Sequence, residues 1–208
     1  MKILREKEAE DFLEKQKFPV SNRGIAKNLD DAFKIANKIR YPIALKIQGR
    51  KIIHKSETGG VILDIRNDKE LEKAFSKIKK IRGFEEAMIQ DYKKGRFLIL
   101  GIKKDAVFGH VVLVGSGDVY TEILKDTSLR ICPIEKRNAD EMLKELKVYP
   151  ILKGVRGEKP VNFNLLKKII VKASQLPKKY PKISELDINP LILTNNDVLI
   201  ADARIVFD

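Results

Sequence analysis

The segment "IIHKSETGGVIL", residues 52–63, places His54 five residues ahead of a Gly-Gly pair and just before a strongly β-forming run. Glycine lets backbone N–H groups approach an anion without a Cβ in the way, so a loop of this kind can close over a phosphate. A histidine in that loop could accept a phosphoryl group. The alternative is an exposed histidine in a hairpin, and these twelve residues alone favour it.

Lys46 lies near the end of the apolar run "IALKI", shortly before the His54 loop. A lysine at that place is suited to polyphosphate oxygens, because its ammonium group acts as a compact point charge. The alternative is a lysine that extends its charge from the end of a sheet into water. Taken alone, the residue favours this second interpretation.

The carboxy-terminal segment "ELDINPLILTNNDVLIADARI" reads as two strands joined by the turn "TNND". Asp187 and Asn189 are two residues apart and therefore point to one face of a strand. Counting back from the turn brings Asp202 roughly opposite Asn189. Two carboxylates and an amide oxygen on one face form a hard-oxygen site suited to magnesium that also holds a nucleotide phosphate. Charged residues on the wet face of an edge hairpin are the alternative, which the apolar residues around them weaken.

Other polar residues have less specific roles. The segment "TEILKDTSLR" follows the loop "GSGD", and its charged residues could hold phosphate, position the loop, or be ordinary helix or turn charges. The sequence does not separate these roles. His110, in "FGHVVLV", and Cys132, before a proline, are interpreted as structural residues. The charged residues of the first segment are Glu122, Lys125, Asp126 and Arg130.

The elements that must position these residues follow from periodicity. Apolar residues at helical spacing predict helices over 5–16, 29–40, 68–82 and 162–176, and a helix capped by Asn138 or Asp140 that runs to Leu146. Apolar or alternating runs predict the strands "IALKI", "GGVILDI", "EAMIQDY", "RFLILGIKKD" and "HVVLVGSG", besides the carboxy-terminal pair. This order predicts two α+β lobes, residues 1–92 and 93–208.

Composition narrows the classes of function. The formal net charge is +13, but lysines alternate with acidic residues along helices such as "DKELEKAFSKIKKI", which is typical of a solvated helix face. We therefore expect no specific nucleic-acid recognition, although a basic binder remains the third alternative. The single cysteine, the lack of an apolar leader and the lack of a spanning run predict a cytoplasmic protein that does not enter a membrane.

Taken together, several motifs resemble the β (ATP-grasp) subunits of ADP-forming acyl-CoA synthetases, in the order and spacing of that family. The two most specific are "HKSETGGV" and "ELDINPL" followed by "ADAR". The others are "YPIALKI", "VFGHVVLVGSG", "EILKDTSLRICPI" and "YPILKGVRG", so the resemblance runs over nearly the whole chain. It implies an α+β ATP-grasp fold in which nucleotide lies between two lobes, with ATP or ADP and magnesium as cofactors.

The resemblance also implies the reaction acyl-CoA + ADP + phosphate ⇌ acid + CoA + ATP. A CoA-binding α subunit would be needed in a hetero-oligomer, because no Rossmann-type CoA-binding segment occurs in these 208 residues. His54 would carry the phosphoryl group between that partner and ADP. The residues implied for the nucleotide are Lys46 at the phosphates, Gln90, Asp91 and Tyr92 at adenine through their backbone, and Asn189 and Asp202 at magnesium, beside Asp187. Lys55, Ser56 and the N–H groups around Gly59 and Gly60 would stabilise the phosphoryl oxygens.

Three positions depart from the family pattern. Phe97 replaces a usual acidic residue, Asp118 ends a glycine loop that usually reads close to "GLGG", and Asp91 replaces a usual proline. These departures leave a second interpretation open: a degenerate ATP-grasp module that binds nucleotide or a partner protein without transferring a phosphoryl group.

Overall fold

The computed structural model describes residues 1–49, 55, 58–117 and 126–208. The helices are α1 Glu6–Lys15, α2 Leu29–Ile39, α3 Asp68–Lys79, α4 Lys136–Glu145, α5 Tyr149–Leu152 and α6 Phe163–Lys179. The strands are β1 Lys2–Leu4, β2 Arg23–Ala26, β3 Ile43–Gln48, β4 Val61–Ile65, β5 Glu86–Asp91, β6 Arg96–Asp105, β7 Gly109–Ser116, β8 Thr127–Ile131, β9 Ile183–Leu193, β10 Val198–Ile200 and β11 Ala203–Phe207. The predicted α+β class is confirmed.

The chain divides into two compact units. One comprises Ser21–Lys93, and the other combines Met1–Val20 with Lys94–Asp208. The predicted first lobe, residues 1–92, is therefore wrong at its beginning. The reason is that β1 pairs antiparallel with β11, so the first residues join the sheet built by the carboxy-terminal part of the chain.

The Ser21–Lys93 unit is an antiparallel sheet with helices α2 and α3. Its strand order is β2-β5-β3-β4. Asn28 and Asn67 cap the two helices, since each side chain accepts a hydrogen bond from a backbone N–H three residues on. Alternate strand residues such as Leu45 and Ile89 are fully buried with the helices in one apolar cluster. The residues between them, such as Lys46, therefore point to the other face of the sheet.

The larger unit contains a second antiparallel sheet, in which the described strands follow the order β1-β11-β9-β6-β7-β8 and β10 pairs with β9. Helix α6 packs on β6 and β7, and α1 packs on β11. Their apolar residues share one core with inward residues of the strands, including Leu186 and Ile188 of β9. Among the described residues, no helix is both long enough and apolar enough to cross a membrane.

The sequence-based elements need three further corrections. One interpretation of "TEILKDTSLR" was a helix or turn with ordinary charges, but its last four residues belong to strand β8. The run "DVLIADARI" forms two strands, β10 and β11, because residues 201 and 202 separate them. Helix α4 begins before either predicted cap, and Asn138 instead accepts a hydrogen bond from the N–H of Glu135 at 3.0 Å.

Two glycines of the larger sheet offer a matched test of close packing. A Cβ at Gly117 would lie 2.8 Å from the carbonyl carbon and 2.9 Å from the nitrogen of Leu98, and backbone atoms cannot give way as side chains do. At Gly101 a Cβ would meet its nearest atom at 3.5 Å, an ordinary contact. We expect Gly117→Ala to lower the free energy of unfolding by about 1–3 kcal/mol. Gly101→Ala should leave it unchanged or raise it slightly, since alanine is less flexible when unfolded.

Urea unfolding of the two variants beside the wild type measures this difference. Equal stability of Gly117→Ala and Gly101→Ala would show that Gly117 is not held by backbone packing.

Candidate functional site

The hairpin made by β9 and the segment β10–β11 brings Asn189 and Asp202 together. Strand β11 pairs with β9 so that Ala203 faces Ile188 and Arg204 faces Asp187. One step further, the N–H of Asn189 donates to the carbonyl of Asp202 at 3.2 Å. The sequence-based expectation that these two residues lie opposite each other is confirmed.

The side chains of β9 alternate as the period of two predicts. Leu186 and Ile188 are buried in the core of the larger unit, whereas Asp187 and Asn189 are exposed on the other face. Protein atoms around Asp187 raise the pKa of its carboxyl by desolvation. Glu185 raises it further, and Arg204 opposes the rise. A nearby cation would favour the charged form of this carboxylate.

The donor set of this face fits magnesium. Asp187 and Asp202 supply carboxylates, and Asn189 supplies an amide oxygen. No group of three or more His, Cys, Asp or Glu side chains placed to hold a metal ion occurs among the described residues. A full protein cage is not required, because Mg²⁺ is usually held by one or two carboxylates together with substrate phosphates and water.

Lys46 lies on β3, in register with Met88 of β5 and Val61 of β4. Its side chain is on the face opposite the helix-packed core, and the residue is only 6% exposed. The interpretation as a lysine reaching into open water is therefore wrong. Lys46 belongs to the Ser21–Lys93 unit, and Asn189 belongs to the other.

Gln90 and Arg23 share the face of the sheet that carries Lys46. Gln90 is buried and stands in register with Ala44 on one side and Arg23 on the other. A guanidinium nitrogen of Arg23 donates to the carbonyl of Ser21 at 3.3 Å. Sequence reasoning missed Arg23 as a cation of this face. The signal that would have found it is the pairing of the strand "NRGIA" with the strand "MIQDY". In that pairing Arg23 lies opposite Gln90 and therefore on the same face of the sheet.

The backbone of Asp91 and Tyr92 is partly used within the unit. The N–H of Asp91 donates to the carbonyl of Asn22 at 2.8 Å, and that of Tyr92 donates to the carbonyl of Pro42 at 3.2 Å. A contact with adenine at these two residues would therefore have to use their carbonyl oxygens.

The predicted phosphoryl loop is described in part. His54 and Ser56 lie outside the described residues. The N–H of Gly60 donates to the carbonyl of Lys55 at 2.8 Å, and the hydroxyl of Thr58 donates to the same carbonyl at 2.9 Å. The N–H of Gly60 therefore has a partner within the loop, and it would have to leave this carbonyl in order to bind a phosphoryl oxygen.

The two glycines of this loop are required for different structural reasons, one for backbone conformation and one for close packing. Gly59 adopts a φ of 69°, in the left-handed region that favours glycine, and a Cβ there would meet no atom within 4 Å. Gly60 is packed tightly, since a Cβ would lie 2.3 Å from a methyl carbon of Ile47. The pair therefore fixes a turn at Gly59 and a close contact at Gly60.

The charged residues of "TEILKDTSLR" divide into two groups. Glu122 and Lys125 lie outside the described residues, as does Asp118. The buried carboxylate of Asp126 accepts the N–H groups of Lys147 at 2.7 Å and Val148 at 3.0 Å.

Arg130 pairs with Glu145 and so ties β8 to α4. These contacts give Asp126 and Arg130 structural roles.

His110 and Cys132 are structural residues, as the sequence predicted. His110 forms a 2.7 Å hydrogen bond between its Nε2 and the carbonyl of Ile183. Cys132 packs against the core of the larger unit, and burial raises the pKa of its thiol to about 12.

The raised pKa predicts an unreactive thiol at Cys132. A pKa of about 12 leaves only about one thiolate in 10⁴ at pH 8. We expect a thiol-specific reagent to label the native chain very slowly and the chain in denaturant within the mixing time. Labelling of the native protein as fast as that of a free thiol would contradict the burial of this side chain.

Comparison with known proteins places the chain in a family. Residues 1–207 match the model of the ATP-grasp domain. The β subunit of acetate–CoA ligase (ADP-forming) I from Pyrococcus furiosus is 40% identical over 211 residues, covering 98% of this chain and 91% of that protein. The chain belongs to the ATP-grasp family of ADP-forming acetate–CoA ligase β subunits.

Solved structures of this family share the fold over the whole chain. Dinucleotide-forming acetyl-coenzyme A synthetase 1 from Ca. Korarchaeum cryptofilum, in complex with coenzyme A, Ca-AMPCP and HgCl⁺, gives a TM-score of 0.91 at 32% identity and covers 100% of this chain and 94% of that chain. Another structure of that synthetase, with coenzyme A and Mg-AMPPCP, has a phosphohistidine segment pointing towards the nucleotide-binding site. It covers 100% of this chain and 93% of that one, with a TM-score of 0.87 and 33% identity. The predicted ATP-grasp fold is confirmed.

Proposed function

We propose that this β subunit transfers a phosphoryl group between a phosphohistidine and ADP in the reaction acyl-CoA + ADP + phosphate ⇌ acid + CoA + ATP. The observation that carries the proposal is the juxtaposition of Asn189 and Asp202 across the hairpin, in a chain of this family. That pair provides the hard-oxygen donors on which a magnesium nucleotide depends.

Several of the described residues are candidates for binding the nucleotide. Asn189 and Asp202 would hold magnesium, which neutralises phosphate charge when it is bound, and Asp187 would lie beside it. Lys46 is a largely buried cation of the sheet in the Ser21–Lys93 unit and would contact phosphate oxygens. Carbonyl groups of Gln90–Tyr92 would contact adenine. Arg23 adds positive charge on the face of Lys46.

His54 would carry the phosphoryl group. A neutral imidazole nitrogen is available near pH 7, because the unperturbed pKa is about 6.5. In the ATP-consuming direction of the reaction, this nitrogen would form a bond to the γ-phosphorus of ATP while the bond from that phosphorus to the leaving ADP oxygen breaks. Synthesis of ATP is the reverse. Lys55, Ser56 and the N–H of Gly59 would stabilise the transferred oxygens. The phosphohistidine segment of the Korarchaeum synthetase supports this assignment.

A CoA-binding α subunit would complete the enzyme, in a cytoplasmic hetero-oligomer. The relative from P. furiosus is itself a subunit of a larger ligase, which supports a partner of this kind. The acyl acid would be handled mostly by that partner.

The test is reconstitution with a co-purified or co-expressed CoA-binding partner. We expect acetyl-CoA, ADP, phosphate and magnesium to yield ATP only when both chains are present. Magnesium-dependent ADP binding without ATP formation, and without acid-labile phosphate on the chain, would instead favour the degenerate ATP-grasp module. Absence of magnesium-dependent nucleotide binding would exclude both the phosphoryl-transferring subunit and a degenerate module that binds nucleotide.

A further inference from the structure

A cavity of about 180 Å³ lies between helix α6 and the beginning of α4 in the larger unit. Its lining, which we call the lysine groove, is Lys136, Lys167, Lys168, Val171, Lys172 and Gln175. Four of these six residues are cationic. The sheet of the larger unit separates the groove from the residues proposed for magnesium. Helix α6 packs on the core face of this sheet, whereas Asp187 and Asn189 are exposed on the opposite face.

The positive charge of the groove is poorly compensated. Asp140 is the carboxylate paired with Lys167, at 2.8 Å, but it is also paired with Lys144 at 2.7 Å. Its single negative charge is therefore shared by two cations. In the part of the chain that the structure describes, neither Lys136 nor Lys168 forms an ion pair.

Lys172 is the most informative member of the groove. Its ammonium group donates to the carbonyl of Lys17 at 2.7 Å and lies 4.9 Å from the centroid of the Phe18 ring. No carboxylate among the described residues pairs with it. Burial and the charge of Lys17 lower its pKa, so the cation is held in an environment that disfavours it. Its described surroundings therefore supply a carbonyl oxygen and an aromatic ring but no carboxylate, and an anion in the groove would add the opposite charge.

We propose that the lysine groove binds a small phosphate-bearing anion, such as inorganic phosphate, pyrophosphate or a phosphate ester. The anion would lie against Lys172, which is half-buried, and against Lys136 and Lys168, which are exposed. A cavity of about 180 Å³ is large enough to admit a phosphate or diphosphate group. This site lies outside the proposed nucleotide site and does not depend on it.

Protection of lysines from an amine-reactive reagent locates the site directly in the wild-type protein. Peptide mass spectrometry follows each lysine with and without pyrophosphate, at constant ionic strength. At a pyrophosphate concentration of ten times the dissociation constant, about one tenth of the protein molecules have an empty groove. We therefore expect Lys172 to react about tenfold more slowly. Lys38, an exposed lysine of α2, is the internal control and should react at an unchanged rate. Equal rates at Lys172 with and without pyrophosphate would overturn the proposal.

Variants separate the groove from the nucleotide site. Lys172→Met removes the charge and keeps an unbranched side chain, and Lys38→Met removes one charge from an exposed position of α2. By calorimetry we expect pyrophosphate affinity to fall at least about tenfold in Lys172→Met only, as when one charge-assisted contact is lost. ADP affinity in magnesium should be unchanged in both, and Asp202→Ala should retain pyrophosphate binding at the groove.

Two outcomes would count against the groove while leaving the proposed function intact. Pyrophosphate binding that survives Lys172→Met but is lost in Asp202→Ala would show that pyrophosphate occupies the nucleotide site. Protection of Lys172 by an acidic partner subunit, but not by pyrophosphate, would show that the groove is a protein interface.

Discussion

Replacing His54 with alanine is expected to abolish ATP formation by the reconstituted enzyme, with a loss on the order of 10⁴-fold or more, as when a covalent nucleophile is deleted. No other side chain in "HKSETGGV" has a nitrogen that is both neutral and nucleophilic near pH 7. Incubation with magnesium and γ-labelled ATP should give base-stable, acid-labile phosphate on the wild-type chain and none on the variant.

The matched control uses the other histidine of the chain. His110→Gln keeps a side-chain donor near the carbonyl of Ile183 and should retain both label and activity. The labelling reaction is run with and without the partner subunit, in case the loop reaches the nucleotide only in the complex. Full activity of His54→Ala with the partner, or label that persists in it, would disprove the carrier assignment.

Replacing Asp202 with alanine is expected to weaken ADP binding in the presence of magnesium at least about tenfold. Loss of a residue that only hydrogen-bonds to a metal ligand already lowers metal affinity by about 10–100-fold, so loss of a ligand should cost at least the lower value. Asn189→Ala should act in the same direction. Asp202→Asn should be intermediate, because it keeps an oxygen donor and loses the charge. The fold should persist in each case, since the side chains are at most partly buried. Calorimetry with ADP, with magnesium and with chelator, measures the effect.

Asp197→Ala is the control for charge. Asp197 is an exposed residue of the turn in the same hairpin, and only its backbone groups form the turn hydrogen bonds with Thr194. The substitution removes one carboxylate and should leave ADP affinity unchanged. Equal affinities of all variants in magnesium would show that the hairpin does not hold the metal.

The hairpin was predictable because its information is local. The alternation of apolar and polar residues in "ELDINPL" fixes which side chains leave the core, and the turn "TNND" fixes the register. Together they place Asp202 opposite Asn189, and the hydrogen bond between the two residues confirms it. Helices α2 and α3 were predictable for a similar reason, since each has apolar residues at helical spacing.

Features that depend on distant residues were not predictable. Nothing in "MKIL" indicates that Leu4 pairs with Ile205, because that register depends on the whole intervening sheet. The hydrogen bond of the Gly60 N–H likewise depends on the conformation of the chain around Lys55, and a Gly-Gly pair does not encode it. Strand β8 was not predicted either, because the charged residues around it also fit a helix or a turn. Its Ser128 and Arg130 contact Glu145 of α4, which is distant in sequence.

The pairing of β1 with β11 has a consequence for synthesis on the ribosome. The unit Ser21–Lys93 has all its strands once residue 93 has emerged, whereas β1 must wait for residues 203–207. At about 5–20 residues per second, the roughly 110 intervening residues take roughly 5–20 seconds. During that time Ala9 and Leu13 of α1, which are fully buried in the finished protein, have no completed core to enter. The apolar face of α1 is therefore without its native partner in the nascent chain until β11 has been synthesised.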